Sequence, residues 1–346
     1  MRRKTNQQTS KSLTLTEIAA RAGVSLPTIS RVLNNRPGVA PETRERVEQI
    51  LKESGFVSSW GMDILQRGSS GIVDIAVPGL DTPYAVEIVR GVVEVLERTG
   101  LRLALSTTSN TLQREQQWLG KVLEGATDGA ILVLSHEQSR NLAELHRRKI
   151  PFVVVDHEGG FGTDIPSVSA TNWAGGRAAT EYLLSLGHQR IAVIGGDRTF
   201  RCSIDRIAGY RAALEEAGIS INPEYIRPGL FMPQTGYEQT CALLDLPEPP
   251  TAIFAGSDLQ ATGIYSALRV RGIAVPDAIS VVGFDDIPLA SAVTPALTTV
   301  RQPLIEMGRV ATTMLLRLIA AEPLDHPRVE LATTLIVRES CTSLHL

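Results

Sequence analysis

From Gly71 onward the chain alternates between short apolar segments and longer amphipathic ones, and this alternation constrains the fold more than any other feature. The apolar segments predict strands at 72–77, 101–106, 129–134, 152–156, 190–194, 252–255 and 279–283. Between them, apolar residues at helical spacing predict helices at 84–99, 111–123, 139–147, 172–186, 205–217, 235–244 and 259–272. Short buried strands separated by helices form parallel sheets with right-handed crossovers. Two such sets predict two doubly wound α/β lobes.

The residues before this body, 13–56, predict a three-helix unit of a different kind. A first short helix is expected to be capped by Thr16 and to end at a turn on Gly23. A second helix follows Ser25, with Pro27 in its first turn, where a missing N–H costs nothing. A third helix begins at Pro41. The apolar residues expected to form their shared core are Ile18, Ala19, Ala22, Ile29, Val32, Leu33, Val47, Ile50 and Leu51.

This unit has the pattern of a helix-turn-helix, in which the second helix enters the DNA major groove by its N-terminal end. The charge distribution supports that interpretation. Residues 1–57 carry ten Lys/Arg and five Asp/Glu, whereas the rest of the chain carries 24 and 32. A basic segment on an acidic body suits contact with phosphates, which supply the sequence-independent part of DNA affinity. An ordinary helical bundle would not explain this uneven charge.

The run Ala22-Gly23-Val24-Ser25, followed by Thr28-Ile29-Ser30-Arg31-Val32-Leu33-Asn34, resembles the head of the lac-repressor (LacI/GalR) family of bacterial transcription regulators. The resemblance implies that Leu26, Pro27 and Arg31 contact bases. It also implies that the DNA backbone is held by Thr16, Ser25, Thr28, Ser30 and Asn34. Because Leu26 and Pro27 are apolar, we expect contacts such as those with the thymine methyl group.

The core resembles the fold of the same family and of periplasmic sugar-binding proteins, which implies four segments. These are a disordered tail at 1–12, the helix-turn-helix domain at 13–57, a hinge helix and linker at 58–70, and an effector-binding core at 71–346. Within the core, an N-lobe is expected at about 71–170 and 301–330, and a C-lobe at about 171–300 and 331–346. The chain would cross between lobes near 169–172, 298–302 and 330–332.

The segment 58–70 allows two interpretations, a flexible linker or a hinge helix that folds on DNA. By resemblance, Leu65 matches the leucine that relatives wedge into the DNA minor groove. Gly61 lies in the middle of the expected helix, and Asp63 would face phosphate, so both depart from the family pattern. The sequence therefore predicts a weaker and more effector-sensitive hinge than usual.

Polar residues at strand ends and nearby loops predict a ligand site in the cleft between the lobes. Carboxylates, one arginine and aromatic rings suit a ligand with many hydroxyl groups. By resemblance, the effector-contacting residues are Tyr84, Asp156, Arg206, Phe231, Ser257 and Asp285, and Asp81 is a further candidate from a nearby loop. Ser257 stands where relatives often carry asparagine. Asp258 and Asp286 have an equally good alternative role as structural carboxylates after strands.

Several other classes find no support in the sequence. The three cysteines have no metal-ligand spacing, no dinucleotide or phosphate loop is present, and no catalytic order of residues is recognisable. We therefore expect no catalytic residues, no metal and no cofactor. The absence of a long apolar run and of a signal-peptide pattern predicts a cytoplasmic protein.

The sequence thus predicts a DNA-binding transcriptional regulator, most simply a repressor, whose operator affinity is set by a small sugar-like effector. Its expected partners are double-stranded operator DNA, the effector and a second copy of the chain, with no membrane. Two alternatives are a sugar-binding protein without regulatory DNA switching and an activator of the same family. An architectural DNA-binding protein would not need the large cleft-bearing body. The sequence leaves three points open: the identity of the effector, whether it releases or promotes DNA binding, and whether the protein is a dimer or a tetramer.

Overall fold

The computed structural model describes residues 15–33, 38–53, 70–109, 111–124, 127–133, 139–156 and 165–344. The chain divides into two compact units, which are described separately. The first comprises Met1–Gly68 with Glu97–Leu101, and the second comprises Ser69–Leu96 and Arg102–Leu346. The predicted hinge helix, including Leu65, lies outside the described residues.

The first unit contains helices α1 (Leu15–Ala22), α2 (Leu26–Leu33) and α3 (Pro41–Glu53). Ile18, Ile29 and Val47 are fully buried and form the centre of their common core. Gly23 adopts a φ of 65°, a backbone conformation that L side chains rarely adopt, and so forms the turn between α1 and α2. The helix-turn-helix prediction is confirmed. One detail is wrong: Thr16 lies within α1, which is already helical at Leu15, and is therefore not its N-cap.

The second unit contains two six-stranded sheets, so the predicted fold of two doubly wound lobes is confirmed. The N-lobe sheet has the order β2-β1-β3-β4-β5-β11, and all of its strands are parallel. Its strands are β1 (Ile72–Val77), β2 (Arg102–Thr107), β3 (Gly129–Val133), β4 (Phe152–Val155), β5 (Ser167–Ala170) and β11 (Arg328–Leu331). Its helices are α4 (Pro83–Leu96), α5 (Leu112–Glu124), α6 (Ser139–Arg147) and α12 (Leu304–Ile319).

The C-lobe sheet has the order β7-β6-β8-β9-β10-β12, with only β12 antiparallel to its neighbour among the described strands. Its strands are β6 (Ile191–Ile194), β7 (Ile226–Arg227), β8 (Ala252–Ala255), β9 (Ser280–Asp285), β10 (Thr298–Arg301) and β12 (Thr334–Ile336). Its α-helices are α7 (Asn172–Ser185), α8 (Arg201–Glu216), α9 (Pro233–Leu244), α10 (Asp258–Val270) and α11 (Pro288–Ala292), and a 3₁₀ turn spans Pro223–Tyr225.

The chain passes between the two sheets three times, between β5 and α7, between β10 and α12, and between β11 and β12. Two of these passages are tied together by a pair of threonines. The Thr171 and Thr333 hydroxyls lie 2.9 Å apart, and the Thr333 N–H donates to the Thr171 hydroxyl over 2.9 Å. Two of the three crossing segments are therefore hydrogen-bonded to each other.

Several of these elements have no counterpart among the predicted ones. Helix α12 is the largest of them, although Leu304, Met307, Ala311 and Leu315 are buried at helical spacing. Helix α8 begins at Arg201, four residues before the predicted start at Asp205. Among the described residues, no helix combines the length and the apolar character needed to span a membrane.

Candidate functional site

The three predicted base-contacting residues lie on the exposed side of α2. Leu26 is 47% exposed, and Pro27 and Arg31 are exposed as well, although α2 packs Ile29 into the core. The Ser25 carbonyl accepts the first helical N–H groups, from Thr28 and Ile29, so Ser25 occupies the N-cap position. Its hydroxyl lies 2.9 Å from that of Thr28.

The other predicted DNA contacts cannot be placed at the level of side chains. The side chains of Thr16 and Ser30 lie outside the described part of the chain, as do Asn34 and Leu65 entirely. The roles of all these residues in DNA binding stay predictions.

The second candidate site lies where the carboxyl ends of strands in the two lobes meet. Asp156 follows β4 of the N-lobe, and Tyr84 lies in the first turn of α4. Asp285 ends β9 of the C-lobe, and Arg206 projects from the middle of α8. We call these four residues the cleft cluster. Charges also act between the lobes here: burial raises the pKa of Asp156 and Arg206 opposes that rise, while burial raises the pKa of Tyr84 and Asp285 adds to that rise.

Arg206 is the buried centre of the cleft cluster, with only 4% of its surface exposed. Its Nε donates to Asn172 Oδ1 over 2.8 Å, and its Nη1 donates to the Gly256 carbonyl over 2.6 Å. The guanidinium carbon lies 3.8 Å from the ring centroid of Phe284 and 5.2 Å from that of Phe231. Two aromatic rings and two acceptors therefore fix the plane of the guanidinium.

Asp285 faces this arginine at the end of its strand. Its Oδ1 lies 3.9 Å from Arg206 Nη1 and accepts a hydrogen bond of 2.7 Å from Gln302 Nε2. Burial raises the pKa of Asp285 to about 7, although Arg206 and Gln302 act to lower it. The backbone of Asp285 has a φ of 117°. Such strained conformations of non-glycine residues concentrate at functional sites.

The N-lobe half of the cleft cluster is a tyrosine–carboxylate pair. The Tyr84 hydroxyl donates to Asp156 Oδ2 in a short hydrogen bond. Burial raises the pKa of Tyr84 well above its ordinary value, and the neighbouring Asp156 raises it further, so the phenol keeps its proton. Asp156 also has a positive φ, of 63°, and burial raises the pKa of its carboxyl group. Its second oxygen, Oδ1, is buried and has no hydrogen-bond partner among the described residues.

Three further predicted site residues have different surroundings. Phe231 contacts the cleft cluster through Arg206. The Ser257 hydroxyl accepts the Gln260 N–H over 3.2 Å and so caps α10. Asp81 lies on an exposed turn, with its carboxylate beside Gly79. A role of Ser257 or Asp81 in ligand binding stays a prediction.

The two carboxylates with an alternative structural role do serve the fold. Asp258 is buried, accepts the Thr299 hydroxyl over 2.5 Å, and accepts the Ile287 N–H over 2.9 Å. Asp286 forms ion pairs with Arg301 at 2.6 Å and with Arg338 at 2.5 Å. Both therefore stabilise the C-lobe at the edge of the candidate site.

The structure adds residues that the sequence patterns do not indicate. Asn172 and Gln302 hold Arg206 and Asp285, and both stand where the chain crosses between lobes. Gln302 Oε1 and the hydroxyl of Ser203, which lies three residues before Arg206 on α8, are buried without a hydrogen-bond partner in the described chain. The sequence does show a polar residue at each of these crossings between the lobes, but it does not show which side chain that residue contacts. Within the part of the chain that the structure describes, no group of three or more His, Cys, Asp or Glu side chains could hold a metal ion.

Comparison with known proteins agrees with this arrangement. Residues 14–59 match the model of bacterial regulatory proteins of the lacI family, and residues 180–341 match that of the periplasmic binding protein-like domain. The HTH-type transcriptional repressor PurR of Histophilus somni is 33% identical over 96% of this chain and 99% of its own length.

Solved structures give the same result. The complex of the transcriptional regulator CelR with cellobiose is 32% identical over 95% of this chain and 99% of its own, with a TM-score of 0.74. The lac repressor dimer bound to operator and the anti-inducer ONPF is 26% identical over 96% and 100%, with a TM-score of 0.71. The chain therefore belongs to the lacI family of bacterial regulatory proteins and is a DNA-binding transcriptional repressor with a ligand-binding core.

Proposed function

We propose that a small, uncharged, sugar-like effector binds at the cleft cluster and sets the affinity of the paired heads for operator DNA. The proposal rests on the buried group of Tyr84, Asp156, Arg206 and Asp285. In this group Asp156 Oδ1 has no hydrogen-bond partner among the described residues. Such a group is costly to bury unless a ligand completes it. The similar CelR structure is a complex with cellobiose, which supports the same class of ligand here.

The balance of donors and acceptors favours a ligand rich in hydroxyl groups. Two of the N–H groups of Arg206 are already used by Asn172 and Gly256. Among the described residues, the buried atoms without hydrogen-bond partners in and around the cleft cluster include the acceptors Asp156 Oδ1 and Gln302 Oε1 and the Ser203 hydroxyl. A ligand must therefore bring donors, which hydroxyl groups supply and phosphate or carboxylate groups do not. Two carboxylates beside one guanidinium also disfavour an anion.

Recognition of the operator is assigned to α2. In this proposal Leu26, Pro27 and Arg31 contact base edges, because all three are exposed on the helix that enters the major groove. Ser25 and Thr28 contact the phosphate backbone, as do Thr16, Ser30 and Asn34 by resemblance. Leu65 would wedge into the minor groove from the hinge.

Regulation would follow from different affinities of the effector for two arrangements of the lobes. A ligand that contacts Asp156 of the N-lobe and Arg206 of the C-lobe favours one arrangement over the other. Two copies of the chain would bind a near-palindromic operator, as the dimer of the similar lac repressor structure binds its operator. We place the protein in the bacterial cytoplasm with its operator, and assign it no enzymatic activity and no cofactor.

The proposal can be tested by thermal shift and calorimetry with D-ribose, cellobiose and cytidine as probes. We expect a sugar to stabilise the wild-type protein and to lose this effect in Arg206→Ala. The matched control is Arg211→Ala, which removes an exposed arginine from the same helix and should bind as the wild type does. A probe that stabilises Arg206→Ala as strongly as wild type would contradict the site.

The regulatory part needs DNA. Operator sequences can be selected from a random duplex library with the full-length protein, and their affinity measured with and without the bound sugar. We expect a change of affinity of roughly tenfold or more in the wild-type protein, within the usual range of allosteric coupling, and none in Arg206→Ala. An operator affinity that no cleft ligand alters would favour a DNA-binding protein without effector control.

A further inference from the structure

Gln260 is a fully buried polar side chain beside the cleft cluster that no step of the proposed function uses. It lies in the first turn of α10, and its N–H donates to the capping hydroxyl of Ser257 over 3.2 Å. The two residues are three positions apart, so they lie on the same side of the helix. Because the Ser257 hydroxyl accepts this bond, it is partly engaged by the fold.

The orientation of the Gln260 amide is fixed by its surroundings. Its Nε2 donates to the carbonyl of Gly195 over 2.9 Å and to the carbonyl of Leu230 over 2.8 Å. A carbonyl oxygen only accepts hydrogen bonds, so the NH₂ end of the amide must face these two groups. The amide oxygen, Oε1, is consequently held on the other side. It is buried and has no hydrogen-bond partner in the part of the chain that the structure describes.

The free oxygen lies next to the groups that surround Arg206. A methyl group added to Gly256 would lie 3.2 Å from Gln260 Oε1 and 3.0 Å from the ring of Phe231. The carbonyl of the same Gly256 accepts the hydrogen bond of 2.6 Å from Arg206 Nη1. Gly256 therefore lies between Gln260 Oε1 and the guanidinium of Arg206, and it has no side chain to fill the space between them.

The geometry points to Gln260 as a specificity-determining residue for the effector, with Oε1 accepting a hydrogen bond from a hydroxyl or N–H group of the ligand. This inference rests on the proposed effector site. An amide oxygen selects a neutral donor and gives no attraction to phosphate or carboxylate.

A purely structural glutamine would leave ligand selectivity unchanged, and this difference can be measured. Gln260→Met keeps the length of the side chain and removes both the donor and the acceptor. The matched control is Thr240→Val, because the Thr240 hydroxyl, on the neighbouring helix α9, is another buried oxygen without a partner among the described residues. Arg206→Ala reports on the effector site as a whole.

The experiment uses the full-length protein with D-ribose, cellobiose and cytidine, and with the monodeoxy analogues of the probe that binds. We expect Gln260→Met to bind that probe about tenfold more weakly, as suits the loss of one hydrogen bond, while Thr240→Val binds normally. One monodeoxy analogue should bind Gln260→Met and wild type equally, because it lacks the donor that Oε1 accepts.

Three results would overturn the assignment. Normal binding by Gln260→Met, with binding lost in Arg206→Ala, would leave the effector site standing without Gln260. Equal weakening of every analogue would show a structural role. If no probe stabilises the wild-type protein, the sugar-type site and Gln260 fail together. Should Gln260→Met not fold, a crystal structure of wild type with the bound probe decides: a ligand donor within about 3.2 Å of Oε1 supports the assignment, and none there refutes it.

Discussion

Replacing Gly176 with alanine should both destabilise the core and weaken the effector site, because the added methyl group would clash with the backbone of Arg206. Gly176 lies on α7 against the backbone of Arg206 on α8. A methyl group at this position would lie 2.2 Å from the Arg206 carbonyl oxygen and 2.8 Å from its Cα. Non-bonded heavy atoms prefer about 3.5 Å or more, so the helices must separate by about 1 Å.

That displacement is large compared with the tolerance of the bonds that hold Arg206. Its hydrogen bond of 2.8 Å to Asn172, which lies on the same helix as Gly176, would lengthen to about 3.8 Å, where it no longer counts as a hydrogen bond. Overpacking costs about 1–3 kcal/mol, and a hydrogen bond from a charged group contributes about 1.5–3 kcal/mol. We therefore expect the free energy of unfolding to fall by about 4 kcal/mol, the sum of about 2 kcal/mol for overpacking and about 2 kcal/mol for one lost hydrogen bond.

The assay is urea unfolding followed by circular dichroism, with Gly120→Ala as the matched control. Gly120 lies inside α5, and apart from the neighbouring backbone of that helix no described atom lies within 4 Å of the position its methyl group would take. Alanine there should raise the free energy of unfolding by about 0.5–1 kcal/mol, since glycine is a poor helix former. If Gly176→Ala unfolds at the same urea concentration as Gly120→Ala, the reasoning about helix contact is refuted.

Three further predictions concern pH, the C-lobe and DNA. Burial raises the pKa of Glu115 to about 7, so the folded protein holds a proton that the unfolded chain releases near pH 4.5. The free energy of unfolding should therefore fall as the pH rises through this range. In thermal unfolding from about pH 4 to 8, Glu115→Gln should reduce this fall by about 1–3 kcal/mol. Asp286→Asn weakens the ion pairs with Arg301 and Arg338 and should cost about 1–2 kcal/mol in urea unfolding; unchanged stability would show that these pairs contribute nothing. Leu26→Ala should leave the melting temperature unchanged, because the side chain is exposed, but lower affinity for a selected operator several-fold in a gel-shift titration.

The pattern of the sequence predicts the fold well where one segment is enough to define an element. Strands such as β1 and β8 coincide with their predicted bounds, since an apolar run between helices has a single reasonable interpretation. Helix α12 is absent from the prediction although its buried residues recur at helical spacing. Its place in the N-lobe depends on packing against α4, more than 200 residues earlier in the chain, and no local pattern contains that information.

The same limit applies to the candidate site. Strand ends predict where carboxylates gather, and the structure brings Asp156 and Asp285 near Arg206 as expected. It does not follow from sequence that Asn172 and Gln302 hold these groups, because an amide takes whichever partner the tertiary fold brings to it. Gln260 is a similar case: its chemistry is visible in the sequence, but the two carbonyls that orient it come from distant loops.

Asp285 and Asp286 show why residue type alone could not separate ligand-facing from structural carboxylates. They are neighbours with the same side chain, and both have a positive φ, of 117° and 57°. Their carboxylates nevertheless meet different partners: Asp285 lies beside Arg206 and Gln302, whereas Asp286 is neutralised by Arg301 and Arg338. Two arginines leave Asp286 little capacity for a ligand. Asp285, whose pKa burial raises although Arg206 lies 3.9 Å away, is the carboxylate that an incoming hydroxyl group would still stabilise.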